Sequence, residues 1–525
     1  MDPILYFHMV GPGLQTDYDA LISKRILYDI SGKFDPISIR DQITRACLII
    51  QRAVEEEVIS SSRPLLIIGG GFSGIAAAHH AVAHYDIPTK IVEKDVLYLE
   101  KFNNVAERFI SPTAYDFPAK HWRQDSYPLE HFGETMAWQL DAMYAPGLRD
   151  EFKDYGRVLD HDYSHLYTSY FETEVIDMEL IPPASGVVEY GTVEVQFQQL
   201  ISGTIFSESF GMVLSCVGFG KENTVLGDFM GVPFWYLEGD RKPYDDGGRH
   251  VLICGSGDGA LQDFLLIVTG KDSVSEIYED LEIPVDLENF IRLEIGQAED
   301  YAYRASQWLG GRRDRHGAEN KHMLNRMCDI YSRLHQEHKN VVNYVYRNYP
   351  YLKDRIALLI EPFFEKNTAT IAFMGDHFTK CYAFNRFLVL LLAQYIEDEY
   401  GYYGKTVLLP MRAVSSVEVD VPSHEKHLYQ YVNHPAQYDD NIERAVRCVG
   451  KPHKVKYKWA DCNLTKEELN ILLEEDLINP WGEPFNQVLV HYGISPAVFP
   501  FTERNNCKPF KEPFYCVQIL PHLFK

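Results

Sequence analysis

Cysteine is scarce in this chain: there are nine in 525 residues and no C-x-x-C pair. That excludes a disulfide scaffold and lacks the spacing of a zinc site or a dithiol redox motif, so no metal is expected. Positive charge is also in deficit. With 50 Lys+Arg against 75 Asp+Glu, the formal net charge of −25 disfavours any sequence-independent hold on nucleic acid or on an anionic membrane. Apolar runs are short, the longest being stretches such as Phe387 to Ala393, well below the roughly 20 residues of a membrane-spanning helix. The opening residues, Met1-Asp2-Pro3-Ile4-Leu5-Tyr6, lack the cationic region of a signal peptide. There is no 20-to-50-residue repeat and no low-complexity tract. Together these absences predict a cytoplasmic protein with reduced thiols. With 46% hydrophobic residues, it is long enough for about three domains at roughly 100 to 200 residues each.

Glycine turns supply the positive signal. Leu65-Leu66-Ile67-Ile68 reads as a short buried strand and runs into Gly69-Gly70-Gly71-Phe72-Ser73-Gly74 and the small-residue helix Ile75-Ala76-Ala77-Ala78. In such a turn the first glycine (Gly69) allows the tight bend. The second (Gly71) lets a pyrophosphate approach the helix N-terminus, and the third (Gly74) lets helix and strand pack closely. Phe72 and Ser73 complete the loop. A second strand, Thr89-Lys90-Ile91-Val92, ends on Glu93, 24 residues after Gly69, where a carboxylate accepts hydrogen bonds from an adenosine ribose.

The pattern returns at Val251-Leu252-Ile253-Cys254, followed by Gly255-Ser256-Gly257-Asp258-Gly259-Ala260, a G-x-G-x-x-A form. The strand-like Ser275-Glu276-Ile277-Tyr278 leads to Glu279, again 24 residues from the first glycine. A carboxylate there favours the unphosphorylated ribose of NAD. Arg312, Arg313 and Arg315 form a basic loop that could reach a 2′-phosphate, so NADH and NADPH both remain open.

Two further pieces carry a resemblance: Val213-Leu214-Ser215-Cys216-Val217-Gly218-Phe219-Gly220, and Ile371-Ala372-Phe373-Met374-Gly375-Asp376 with a helix expected over Cys381 to Ile396. With the two glycine turns, and in the same order, they resemble the two-dinucleotide-domain flavoproteins, the glutathione-reductase-like class and its relatives the flavin monooxygenases. The resemblance covers about residues 64 to 396. It implies FAD at Gly69, Gly71, Phe72, Ser73, Gly74 and Glu93, with Asp376 bonding the flavin ribityl chain. It implies NADH or NADPH at Gly255, Gly257, Asp258, Ala260 and Glu279. The stretch from Gly255 to Asp263 is most similar to the pyridine-nucleotide turn of the flavin-containing and N-hydroxylating monooxygenases. The Phe-x-Gly-x-x-x-His element of some of those enzymes is absent.

The fold expected is α/β, an FAD-binding Rossmann-like domain (64–220, closed by 366–404) carrying an inserted NAD(P)-binding Rossmann-like domain (221–365). A helical N-terminal arm (1–63) and a mixed C-terminal segment (405–525) flank it. The activity implied is an FAD-dependent oxidoreductase in which NAD(P)H reduces the flavin and electrons pass to oxygen or a small organic substrate, with the Gly255 to Asp263 stretch favouring a monooxygenase over a simple reductase. A nucleotide-binding regulatory or sensing protein is the alternative, and the terminal segments leave a homo-oligomer or a protein partner open. Catalytic candidates are few. Tyr115, His121 and Trp122 fall where the class places a loop near the flavin ring, and His377 stands beside Asp376. His80 and His84 stand at i, i+4 without the glutamate of H-E-x-x-H and read as solvated helix residues.

Overall fold

The computed structural model describes residues 8–9, 26–30, 39–103, 105, 108–111, 117–118, 122, 143–181, 190–218, 222–235, 248–310, 321–364, 367–379, 381–401, 406–434, 437–462, 464, 466–480, 482–493 and 515–518. They fall into two compact units. One comprises residues 1–104, 126–221 and 495–525, and the other residues 105–125 and 222–494, inserted in the chain of the first.

The first unit is built on a mainly parallel sheet. Its strands are β1 (Leu27–Asp29), β2 (Leu65–Ile68), β3 (Thr89–Val92), β4 (Tyr167–Tyr170) and β8 (Met212–Ser215), in the order β1-β8-β2-β3-β4. The central registers run Ser215↔Ile68 and Ile68↔Val92. Tyr515–Gln518 adds a parallel strand outside β1, and His8–Met9 pairs antiparallel with it. Leu65, Leu66 and Ile67 are wholly buried, as an apolar run covered on both faces requires. The sheet is flanked by α1 (Ile39–Glu55), α2 (Phe72–Tyr85) and α3 (Ala145–Asp162). Between β4 and β8 the chain makes an antiparallel meander of β5 (Thr173–Ile181), β6 (Thr192–Gln199) and β7 (Ile205–Phe210).

The N-terminal segment is therefore part of this unit rather than an appended arm. Its strand β1 extends the sheet, and α1 packs on α2 through an apolar face that includes Ile43, Cys47 and Ile50. Arg63 ties the segment's end to the meander, its guanidinium donating to the carbonyls of Val58 (2.9 Å) and Gly191 (2.7 Å).

The second unit has its own all-parallel sheet. Its strands are β9 (Arg249–Cys254), β10 (Asn367–Phe373), β11 (Leu408–Pro410) and β14 (Gln487–Val490), in the order β11-β10-β9-β14. The crossover from β9 to β10 runs through α4 (Asp258–Thr269), α5 (Val274–Asp280), α6 (Val285–Gly310), α7 (Lys321–Asn348) and α8 (Tyr351–Phe364). After β10 comes α9 (Ala383–Tyr400), and β12 (Arg412–Val419) and β13 (His453–Trp459) pair antiparallel beyond it.

Two domain boundaries shift accordingly. Residues 366–404 do not close the first sheet, because β10 pairs with β9 from Arg249↔Asn367 to Cys254↔Ala372. The position beside β8 is taken by β1 instead. Residues 405–525 are not a separate domain either: β11 and β14 border the second sheet, and 515–518 joins the first.

Candidate functional site

Two strand-turn-helix junctions share one geometry. At the first, Gly69 adopts φ +108°, and a Cβ there would lie 2.5 Å from the Cys216 carbonyl oxygen. At the second, Gly255 adopts φ +129°, and a Cβ would lie 2.1 Å from the His491 oxygen. Only glycine reconciles that backbone with so close a neighbour. Each glycine N–H donates to the adjacent parallel strand, Gly69 to Val92 (2.8 Å) and Gly255 to Ala372 (2.9 Å). Gly71 and Gly257 are the N-caps of α2 and α4, with φ −84° and −83°, and no side chain caps either helix. A Cβ on Gly71 or Gly257 would meet nothing within 4 Å. Each helix thus begins beside open space with the positive end of its dipole and no side-chain cap, as a pyrophosphate requires.

The flanking side chains differ. In the first junction Gly74 is obligatory, since a Cβ would fall 2.0 Å from the Gly69 oxygen. The Glu93 carboxylate follows β3 and accepts the N–H groups of Gly70 (2.6 Å) and Asp95 (3.1 Å). Phe72 and Ser73 are buried, and the Phe72 ring meets Phe102 and Phe152 edge to face, so these two anchor α2 through its core side.

In the second junction Ala260 replaces the third glycine and is fully buried. The residue in Glu93's register is the buried Phe373, because the strand beside β9 is β10. Residues 275–278 form a helix, not a strand, and Glu279 sits exposed on it. The cause is local: the Ser273 hydroxyl accepts the Glu276 N–H at 3.0 Å, and Ser273-Val274-Ser275-Glu276 is a capping-box sequence. Asp258 is turned to α9, its carboxylate accepting the Tyr382 N–H (2.7 Å) and the Asn385 amide (2.9 Å).

Behind the second turn lies a buried ionic cluster. Asp263 accepts from Arg108 Nη1 through one oxygen and faces His491 Nε2 through the other, each at 2.8 Å. The Arg108 guanidinium also lies 3.4 Å from the centroid of the Phe234 ring and donates to the Phe234 carbonyl at 2.7 Å.

Of the remaining predicted residues, Asp376 and His377 lie in the second unit, on the loop after β10, so Asp376 is not on the sheet that carries Gly69 to Gly74. Asp376 Oδ1 and His377 Nδ1 are 2.7 Å apart, and this hydrogen bond holds the Asp376 carboxyl below its usual range. Trp122 is a core side chain of the second unit, packed against Phe117, Tyr278 and Phe384 at centroid separations of 5.3 to 5.7 Å. Tyr115, His121, Arg312, Arg313 and Arg315 lie outside the described residues. His84 is exposed, but His80 is buried, and burial together with the charges of His84 and His79 lowers its pKa to about 4.

Sequence spacing gave no sign of two groupings assembled from distant segments. Glu299 of α6 meets His338 Nε2 of α7 (2.8 Å) and accepts from Arg386 Nη1 of α9 (3.2 Å). Cys328 and Cys462 converge on His377. No pattern along the chain relates residues on such different elements.

No family model matches the chain, and no curated protein matches it. Solved structures similar to it include the thioredoxin reductase of Lactococcus lactis, at 9% identity over 84% of this chain and 81% of that one, with a TM-score of 0.34. An ornithine N-hydroxylase of Kutzneria sp. 744 matches at 12% identity over 82% and 81%, TM-score 0.31. The ornithine hydroxylase of Pseudomonas aeruginosa matches at 13% identity over 84% and 85%, TM-score 0.31. The two units of this chain are defined by their own strand order and turns. Among the described residues no helix is long and apolar enough to cross a membrane.

Proposed function

We propose that the protein is an FAD-dependent oxidoreductase, with FAD held by the first unit and a nicotinamide dinucleotide serving as reductant at the second. The observation that carries this reading is the repeated junction: a glycine bend, an N–H bond to the next parallel strand, and an uncapped helix N-terminus facing open space. In the first unit the N–H groups at the start of α2 receive the pyrophosphate and Glu93 receives the ribose hydroxyls, a complete donor and acceptor set for an adenine dinucleotide. In the second, the start of α4 receives the pyrophosphate. Phe373 stands where an acid would select an unphosphorylated ribose, so NADPH is accepted at least as well as NADH. A flavin held this way stores two electrons taken from the nicotinamide and passes them to an acceptor, here oxygen or a small organic molecule.

An anaerobic absorbance titration of protein reconstituted with FAD tests this reading. Bleaching of the oxidised flavin bands by stoichiometric NADPH or NADH is the expected result. One observation favours a second reading, in which the second unit is regulatory: its turn lacks the ribose acid, and Asp258 is spent on α9. Flavin bands that neither nicotinamide bleaches would establish that reading and end the first. If reduction succeeds, oxygen consumption coupled to substrate oxygenation distinguishes a monooxygenase from a reductase.

A further inference from the structure

Three residues from separate elements of the second unit meet at the end of β10. Cys328 lies on α7, His377 on the loop after β10, and Cys462 on the turn after β13. The two sulfurs and one ring nitrogen of His377 all lie within 4.8 Å of one another. The two thiols are neighbours in this cluster, and the Asp461 carboxylate stands next to Cys462 in the chain. A tetrahedral zinc ion with Zn–S bonds of about 2.3 Å places its ligand atoms somewhat under ~4 Å apart, so closing on the ion takes a contraction of at most about 1 Å.

The histidine supplies an independent sign of a ligand. It is 1% exposed, and its Nε2 is buried with no hydrogen-bond partner. Leaving such an atom unsatisfied is costly unless a ligand takes the place of the missing partner. The other ring nitrogen, Nδ1, faces Asp376 Oδ1 at 2.7 Å, and Asp376 Oδ2 accepts the Ser332 hydroxyl at 3.3 Å. A carboxylate on Nδ1 fixes the proton there and leaves the Nε2 lone pair free, the arrangement that orients metal-bound histidines. The backbone is shaped for the same approach. Gly375 turns at φ +75°, and a Cβ on it would lie 3.1 Å from Cys462 Cβ and 3.2 Å from its sulfur.

We propose that Cys328, His377 and Cys462 bind a zinc ion, with Asp376 positioning the imidazole and Asp461 beside the fourth coordination position. Two thiolates and an imidazole form a borderline-soft set that suits Zn2+ over Mg2+ or Ca2+. Binding replaces the two thiol protons, which pass to solvent. A disulfide between the two cysteines would account for neither the unpaired Nε2 nor the carboxylate behind Nδ1.

The test is metal analysis of the full-length protein, purified under reducing conditions and dialysed, followed by Co2+ titration of the metal-free form. The expected result is one Zn2+ per chain and, with Co2+, a thiolate charge-transfer band with the visible absorption of tetrahedral cobalt. Cys328→Ser and Cys462→Ser should each abolish the stoichiometric zinc. Asp376→Ala, whose side chain is exposed and not part of the core, should weaken affinity by about 10- to 100-fold. Zinc that dialyses away from the reduced wild type, a cobalt spectrum without thiolate bands, or full binding by the Cys328→Ser, Cys462→Ser double variant would each overturn the proposal. These readouts do not involve flavin or nicotinamide, so the result stands apart from the outcome of the titration above.

Discussion

The same bend of backbone occurs in both units, yet the side chains around it have been put to different use. Around Gly69 the neighbours serve the turn: Gly74 permits contact with the Gly69 carbonyl, and Glu93 presents its carboxylate at the loop. Around Gly255 they serve the scaffold. Asp258 binds the start of α9, Asp263 holds Arg108 and His491, and Phe373 fills the register of the acid. A glycine signature thus specifies a backbone path and a helix terminus, while ligand selection lies in residues that the signature does not contain.

The sharpest way to break this comparison is Gly74→Val, whose side chain must displace the Gly69 carbonyl 2.0 Å from its Cβ. It should abolish FAD retention and markedly lower the melting temperature, whereas Ala260→Gly in the matching position should leave nicotinamide binding nearly intact. Equal tolerance at the two sites would remove the distinction. Next in size is Asp263→Ala. It removes the carboxylate from the buried Arg108 cation, and breaking a buried pair in this way costs about 3 to 5 kcal/mol. Denaturant unfolding monitored in the second unit should record this loss, while flavin stays bound to the first.

Acid sharpens the comparison further. Burial, aided by neighbouring positive charge, lowers the pKa of His80 in the first unit to about 4 and of His335 in the second to about 2. A neutral histidine that must protonate on unfolding contributes its full stability above the unfolded pKa near 6.5. That stability is lost as pH falls below it. For His80 the loss amounts to about 3 kcal/mol by pH 4. Melting temperatures measured from pH 7 to 4.5 should fall less steeply in His80→Gln than in the wild type. The smallest effects separate the two acids expected to hold ribose. Glu93→Ala should weaken FAD by about 1.5 to 3 kcal/mol, the range for hydrogen bonds to a charged group. Glu279→Gln, on the exposed face of α5, should change nicotinamide affinity by less than about 0.5 kcal/mol.

Both glycine turns, the strand that runs up to Glu93 and the helix over 381–396 were legible because each rests on local chemistry: a bend only glycine allows, and periodic apolar faces. The strand expected at 275–278 failed for a local reason as well, since the capping box at Ser273 to Glu276 outweighs a short apolar alternation. What the sequence hid was pairing at long range. The resemblance placed Ile371 to Asp376 in the first sheet, but strand partners are chosen by burial across the whole chain. The place beside β8 went to Leu27–Asp29, far upstream. The cluster of Cys328, His377 and Cys462 was hidden for the same reason.

That early strand bears on how the protein is made. β1, β2, β3, β4 and β8 all precede residue 216, so the ribosome has delivered five parallel strands of the first unit before Arg249 opens the second sheet. The second unit has no such advantage. Phe117 and Trp122 emerge long before Tyr278 and Phe384, the aromatic partners that bury them. Its sheet is complete only when Gln487–Val490 has been synthesised. During translation the nascent chain therefore carries five strands of the first sheet alongside an aromatic pair still without its partners, the kind of apolar surface that incomplete chains expose.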